Sequence, residues 1–166
     1  MRYLVLALLG FFSLILQSTI FNEFLVAGVK PDLLLIIVIF FALFNGPRQG
    51  AFIGLGLGLL EDLFQAKYFG LNAASKLTTG LIIGFMEKRI YKDNFLVPIL
   101  VLFIGSFIHM AFYYLYTNIV GYSVGVHDFF RVAVPFAIYN MCFAPFTYGP
   151  FYKSSTKGIL KRHTSA

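Results

Sequence analysis

Residues 31–62 read PDLLLIIVIFFALFNGPRQGAFIGLGLGLLED, two apolar runs joined by a polar turn. Pro31 and Asp32 suit a helix start, because proline fits the first turn and a carboxylate favours the positive end of the helix dipole. The pair Glu61 and Asp62 closes the second run. Both runs are short for a membrane crossing, which needs about 20 residues. They form either two short spans or a re-entrant hairpin.

The composition of the 166-residue chain indicates a bilayer protein. Hydrophobic residues make up 59% and charged residues 12%, with a mean hydropathy of +0.82, more apolar material than a soluble core of this size can bury. The formal charge of +6 does not indicate nucleic-acid binding, because the charges lie between apolar runs and form no basic face. The single Cys142 allows no internal disulfide and no cysteine metal cluster.

Six apolar runs predict an all-α integral membrane protein, a bundle of six transmembrane helices. The predicted spans are 3–21, 31–46, 47–64, 68–86, 95–117 and 129–151, forming a single transmembrane domain over 1–152 that is followed by a basic tail over 153–166. The first run follows Arg2 and resembles a secretory signal. Because it is long and no A-x-A site follows, we expect a retained helix, and a cleaved signal is the alternative.

Basic residues indicate the orientation, because cytoplasmic loops retain lysine and arginine. With six spans and a cytoplasmic N-terminus, the outer loops hold only Lys30 and Lys67. The inner segments hold Arg2, Arg48, Lys88, Arg89, Lys92, Lys153, Lys157, Lys161 and Arg162. We therefore expect both termini in the cytoplasm and two true crossings within residues 31–62, since a re-entrant hairpin would place Arg48 near the outer face.

Glycines recur every fourth residue along the third predicted helix. Positions four residues apart form one slowly drifting stripe on a helix, and small residues on such a stripe let two helices approach closely in lipid. The fourth helix has a matching stripe, so the sequence predicts that the third and fourth helices pack tightly. The packing glycines are Gly46, Gly50, Gly54 and Gly58, with Gly80 and Gly84 on the partner helix.

Lys76 lies inside the fourth apolar run, where a charge costs about 2.5–3.5 kcal/mol to insert. We predict a polar cluster on the outer side that contains Asp32, Asp62 and Lys76, with Lys76 paired to Asp62 and Asp32 serving as helix cap or second acceptor. The alternative is that Lys76 reaches water along its own stem while Asp62 is a solvated loop residue. We expect the role of this polar cluster to be structural or to couple the chain to a partner protein.

The sequence offers little for catalysis. His109 follows Ser106 by three residues, on the same helix face, but no oxyanion site or positioned base accompanies this pair. The three histidines lack metal-ligand spacing, and no HExxH is present. We expect no catalytic, metal or cofactor site. The basic tail, with Lys153, Lys157, Lys161 and Arg162, should attract anionic membrane lipids.

The central segment resembles the MreD family of rod shape-determining membrane proteins. The likeness rests on PDLLL at 31–35, FNGPRQG at 44–50, the spacing of Gly54, Gly58 and Asp62, and FGLNA at 69–73 followed by Lys76 and Gly80. This resemblance implies a non-catalytic multi-pass protein of the bacterial inner membrane that binds MreC directly. It also implies membership of the cell-elongation complex for lateral peptidoglycan synthesis, which contains MreB, RodA and a class B penicillin-binding transpeptidase.

The same family is similar in fold to the substrate-binding subunits of energy-coupling-factor transporters. That similarity gives an alternative function, a small-molecule-binding or transport subunit whose cavity Asp32, Asp62 and Lys76 would line. Helix faces built from glycine and the weak case for a nucleophile favour the scaffold.

Overall fold

The computed structural model describes residues 2–20, 25, 28–65, 69–87, 96–122 and 125–157. Within these ranges the chain folds into seven α-helices and no β-strand, which confirms the predicted all-α class. The helices are α1 (Arg2–Thr19), α2 (Leu33–Asn45), α3 (Pro47–Gln65), α4 (Leu71–Phe85), α5 (Leu96–Ile119), α6 (Val126–Cys142) and α7 (Ala144–Lys157).

Helix α2 is the central helix of the bundle and contacts α1, α3, α4, α5 and α7. Between Leu34 and Leu43 every side chain except Ile37 is buried, as expected for a helix that is apolar on all faces. Its 13 residues extend about 20 Å at 1.5 Å per residue. The helix can be this short because buried, hydrogen-bonded polar residues, Asp32 and Asn45, lie at its two ends.

Helices α3 and α4 form the most extensive helix pair in the described part of the chain. A Cβ added to any of the three inward glycines of α3 would lie less than 3.0 Å from atoms of neighbouring helices, α4 backbone among them. The α3–α4 contacts are Gly50 with Gly80, Gly54 with Lys76, and Gly58 with Ala73. The two backbones therefore touch along most of their length, without intervening side chains.

The sequence predicted that Gly46 lies on this helical stripe, but in the structure Gly46 precedes α3. It ends α2 with a positive φ of 88°, and its N–H donates to Ala42 O over 2.9 Å. The following Pro47 disfavours a helical conformation at Gly46 and becomes the first residue of α3. Gly84 still packs on this turn, since an added Cβ there would meet the backbone of Gly46 and Pro47.

The segment predicted as one sixth span, 129–151, contains parts of two helices. Helix α6 ends at Cys142, where Phe143 N donates to Asn140 O over 3.0 Å, and α7 begins at Ala144. Pro145 explains the break, because it has no N–H to donate to the carbonyl of Met141 and its ring collides with that carbonyl in a continuous helix.

Among the described helices, α5 is long and apolar enough to cross a membrane, with 24 residues. Shorter apolar helices cover Leu4–Thr19 and Leu33–Asn45. Large apolar side chains are exposed on the outer faces of several helices, which suits contact with lipid or with another membrane protein. Examples are Leu8, Phe52, Leu100, Phe130 and Phe146.

Candidate functional site

Lys76 lies at the centre of a buried charged cluster. Its side chain is fully buried, and its Nζ donates to Asp32 Oδ2 over 2.6 Å and to Glu61 Oε2 over 2.5 Å. The two carboxylates come from the start of α2 and the end of α3, so one ammonium group ties α2, α3 and α4 together. Charged hydrogen bonds of this kind are about twice as strong as neutral ones.

Asp32 both caps α2 and accepts from Lys76. Its Oδ1 accepts the N–H of Leu35 over 2.8 Å, the typical N-cap bond. Gln17 of α1 adds a longer contact, with Nε2 donating over 3.4 Å to the same oxygen and over 3.1 Å to Pro31 O. The start of α2 is therefore held by α1 and α4 at once.

Helices α5 and α6 join the cluster through Asn140. The Oδ1 of Asn140 accepts the backbone N–H of Asp32 over 2.8 Å, and its Nδ2 donates to Ser106 Oγ over 3.0 Å. All three residues are buried. The network thus connects six of the seven described helices through polar groups in the interior of the bundle.

The predicted pair between Lys76 and Asp62 is wrong, because Lys76 contacts Glu61 instead. Adjacent residues on a helix point about 100° apart, so only one of the two acidic side chains can face the lysine. Asp62, with its shorter side chain, turns toward the start of α4. Its two oxygens accept from Gly70 N, Asn72 N, Asn72 Nδ2 and Ala73 N, at 3.0 to 3.2 Å.

Asp62 therefore stabilises the connection between α3 and α4. The first N–H groups of a helix have no partner within the helix and need an outside acceptor. Gly70, the N-cap residue of α4, has no side chain to supply one, and the carboxylate of Asp62 takes its place. This use of a carboxylate at the positive helix end needs no ligand or partner protein to explain it.

Replacing Asp62 with asparagine is expected to destabilise the fold by about 1–3 kcal/mol. The amide NH₂ of asparagine would face N–H groups at the start of α4, and it cannot accept hydrogen bonds from them. Thermal unfolding in mild detergent measures the effect. Asp128→Asn is the matched control, because the Asp128 side chain is 63% exposed at the start of α6 and its loss should cost less than about 0.5 kcal/mol. Equal losses in the two variants would contradict the capping role.

A cavity of ≈ 240 Å³ lies beside the charged cluster. Gln17, Lys30, Asp32, Glu61 and His109 are among the residues that line it. Two buried polar atoms in its lining residues, Gln17 Oε1 and His109 Nδ1, have no hydrogen-bond partner in the described part of the chain. Both atoms are buried in the protein interior.

The Ser106 and His109 side chains take part in different contacts. Ser106 Oγ is hydrogen-bonded to Asn140, while the His109 ring stacks on Phe136 with centroids 6.0 Å apart. The Nε2 of His109 lies 4.0 Å from Asp32 Oδ2, beyond hydrogen-bond distance. Ser106 thus belongs to the network that holds the helices together.

The sequence analysis did not predict three members of the cluster: Gln17, Glu61 and Asn140. Gln17 and Asn140 are polar residues inside apolar runs, which is the signal that would have found them. Of the basic tail, Lys153 and Lys157 lie on α7, whereas Lys161 and Arg162 lie outside the described residues.

Comparison with protein families gives one match: a family model described as rod shape-determining protein MreD covers residues 1–155. Comparisons with curated proteins and with solved structures gave no match. The charged cluster and the contact between α3 and α4 both lie inside the matched residues.

Proposed function

The chain belongs to the MreD family of rod shape-determining proteins, and on that premise we propose that it is a non-catalytic scaffold or regulator of cell elongation. In this proposal it binds MreC directly in the bacterial inner membrane. Through MreC it joins the complex for lateral peptidoglycan synthesis, with MreB, RodA and a class B penicillin-binding transpeptidase. Family membership supports a role in determining rod shape. Direct binding of MreC is what we propose in addition.

The use of the buried polar groups is the observation that carries the scaffold proposal. Lys76 binds Asp32 and Glu61 and so joins three helices, and Asp62 caps the start of α4, one of the three. An enzyme needs a nucleophile or acid held free for substrate. Here the charges stabilise the shape of the bundle, which supports a protein that acts through its outer surface.

For the membrane topology we propose six crossings with both termini in the cytoplasm, as in the substrate-binding subunits of energy-coupling-factor transporters. Helices α1 to α5 supply five crossings, and α6 continued by α7 supplies the sixth. The distribution of basic residues supports this orientation. The short α2 is compatible with it, because neighbouring helices cover both of its ends.

Affinity capture of the chain from its native membrane, with mass spectrometry of what co-purifies, tests the proposed partner. MreC is expected among the captured proteins. Recovery of an ATPase module without MreC would instead favour the transport alternative. A transport subunit would also retain its solute at fixed stoichiometry, so the same preparation is examined for bound small molecules.

Tryptophan substitutions on the outer surface should locate the binding face. We expect one or two of them to reduce capture of MreC by about tenfold, a cost near 1.4 kcal/mol, because they place a bulky ring in a packed interface. The others should be neutral, since lipid adapts to the added ring. Membrane accumulation of each variant is the control, and unchanged capture by all of them would contradict direct binding through these faces. The positions are Leu8 on α1, Phe52 on α3, Leu100 on α5, Phe130 on α6 and Phe146 on α7.

A further inference from the structure

A groove on the surface of the bundle reaches the central helix α2 between α1 and α7, and its volume is ≈ 400 Å³. Leu33 and Ile37, two of the three half-buried residues of α2, line it. The groove is open to the outside, since Leu9 of α1 and Phe146 of α7, which also line it, are 42% and 77% exposed. In a bilayer this space has to be filled, because packed interiors hold few voids.

The groove is suited to a thin, apolar occupant. None of the described residues that line it is charged, and the hydroxyl of Thr147 already donates to Phe143 O over 2.8 Å. Its wall on α1, from Val5 to Ser13, is about 12 Å long, and a helix 10–12 Å across fills about 900–1,400 Å³ over that length. That is more than twice the volume of the groove, so a single acyl chain fits this space better than a transmembrane helix does.

Basic residues lie at one end of α1 and of α7. In the proposed orientation α1 begins and α7 ends at the cytoplasmic face. Arg2 starts α1, three residues before Val5, and Lys153 and Lys157 follow Phe151 on α7. The opposite ends of both helices carry no charge, and neither helix contains an acidic residue. Basic residues beside the membrane attract anionic lipid headgroups.

From these observations we propose that the groove binds one acyl chain of an anionic phospholipid, whose headgroup lies at the basic ends of α1 and α7. The lipid comes from the cytoplasmic leaflet, an assignment that rests on the membrane orientation proposed above. Its chain fills the space over Leu33 and Ile37 and contacts α1, α2 and α7 together.

A tryptophan in the groove wall tests the proposal, because the chain itself contains no tryptophan. Full-length Leu9→Trp is placed in phosphatidylcholine vesicles with increasing fractions of phosphatidylglycerol whose brominated acyl chains quench its fluorescence. Leu8→Trp is the matched control, since Leu8 is adjacent on α1, is 62% exposed and does not line the groove. Half-maximal quenching of Leu9→Trp should need an about fivefold lower lipid fraction, the factor expected from one basic residue near the membrane surface. Brominated phosphatidylcholine should quench both variants at the same fraction.

Two further changes separate the acyl chain from the headgroup. In the Leu9→Trp background, Ile37→Phe adds bulk to the groove and should move the phosphatidylglycerol curve to that of Leu8→Trp. Ile104→Phe, the same change at a 43% exposed position of α5, should leave the curve unchanged. Lys153→Gln combined with Lys157→Gln alters no residue that lines the groove, so it decides the question even if Ile37→Phe fails to fold. This pair should bring the phosphatidylglycerol curve to the phosphatidylcholine curve, whereas Lys30→Gln should not.

Identical curves for Leu9→Trp and Leu8→Trp, or for the two lipids at Leu9→Trp, would overturn the proposal. Protection of Leu9→Trp from both brominated lipids once MreC is added would also overturn it, because a partner helix would then occupy the groove. The quenching curves themselves are measured on the isolated chain. Their failure therefore leaves the proposed binding of MreC untouched, and failure to capture MreC leaves the quenching result untouched.

Discussion

Replacing Lys76 with methionine is expected to destabilise the folded chain by about 3–5 kcal/mol, the usual cost of removing one partner from a buried ion pair. Lys76 is fully buried between Asp32 and Glu61, so its loss leaves two carboxylates without their cation. Methionine keeps a similar side-chain volume, and the loss therefore reports on charge more than on packing. Unfolding in mild detergent measures it, with the amount of folded protein in the membrane as a second readout.

Second-site changes distinguish the two neighbouring acids. Adding Glu61→Gln to Lys76→Met should restore part of the lost stability, because it removes one uncompensated carboxylate from the interior. Adding Asp62→Asn should restore nothing, since Asp62 accepts from the start of α4 and does not contact Lys76. Rescue by Asp62→Asn, or strictly additive damage with Glu61→Gln, would contradict the pairing of Lys76 with Glu61.

The sequence locates this cluster but does not determine its pairing. Lys76 and Asp32 are detectable because a charge beside or within an apolar run needs a partner. Which partner each one takes depends on the rotation of α3 about its axis, and Glu61 and Asp62 differ by only one position. Hydropathy contains no information on that rotation, so the choice between them needed the packed structure.

The contacts of Gln17 and Asn140 could not be predicted from local sequence patterns, because they join distant parts of the chain. Asn140 binds the backbone of Asp32 across 108 residues of chain, and Gln17 reaches Asp32 across 15. Such contacts depend on how whole helices dock. The helix break at Phe143 was not predicted, because the average hydropathy of an apolar run contains no information on the missing N–H of Pro145.

The glycine spacing was more informative, because it is a local property of one helix. Gly50, Gly54 and Gly58 lie on the face of α3 that touches α4, where the four-residue period placed them. Only Gly46 departs from the pattern, since its positive φ and the following Pro47 end the helix before it. Periodicity thus identifies a face reliably only within the bounds of the helix.

Gly54→Leu is expected to prevent normal accumulation of the folded chain. A Cβ at this position would lie less than 3.0 Å from the backbone of Lys76, and backbone atoms cannot rotate aside as a flexible side chain can. The leucine must push α3 away from α4, so the loss should exceed the about 1–3 kcal/mol typical of overpacked cores. The same displacement would separate Lys76 from Glu61, and membrane levels, unfolding in detergent and capture of MreC should all fall.

Gly56→Leu is the matched control on the same helix. Gly56 is exposed, and an added Cβ there would have nothing within 4 Å. Leucine also favours a helix over glycine by up to about 1 kcal/mol, so this variant should be as stable as the parent or slightly more stable. Comparing the two leucines separates helix propensity from packing, because the substitution is identical and only the helix face differs. If both variants lost stability equally, backbone contact between α3 and α4 could not be the cause of the loss. Normal membrane levels of both variants would contradict that contact directly.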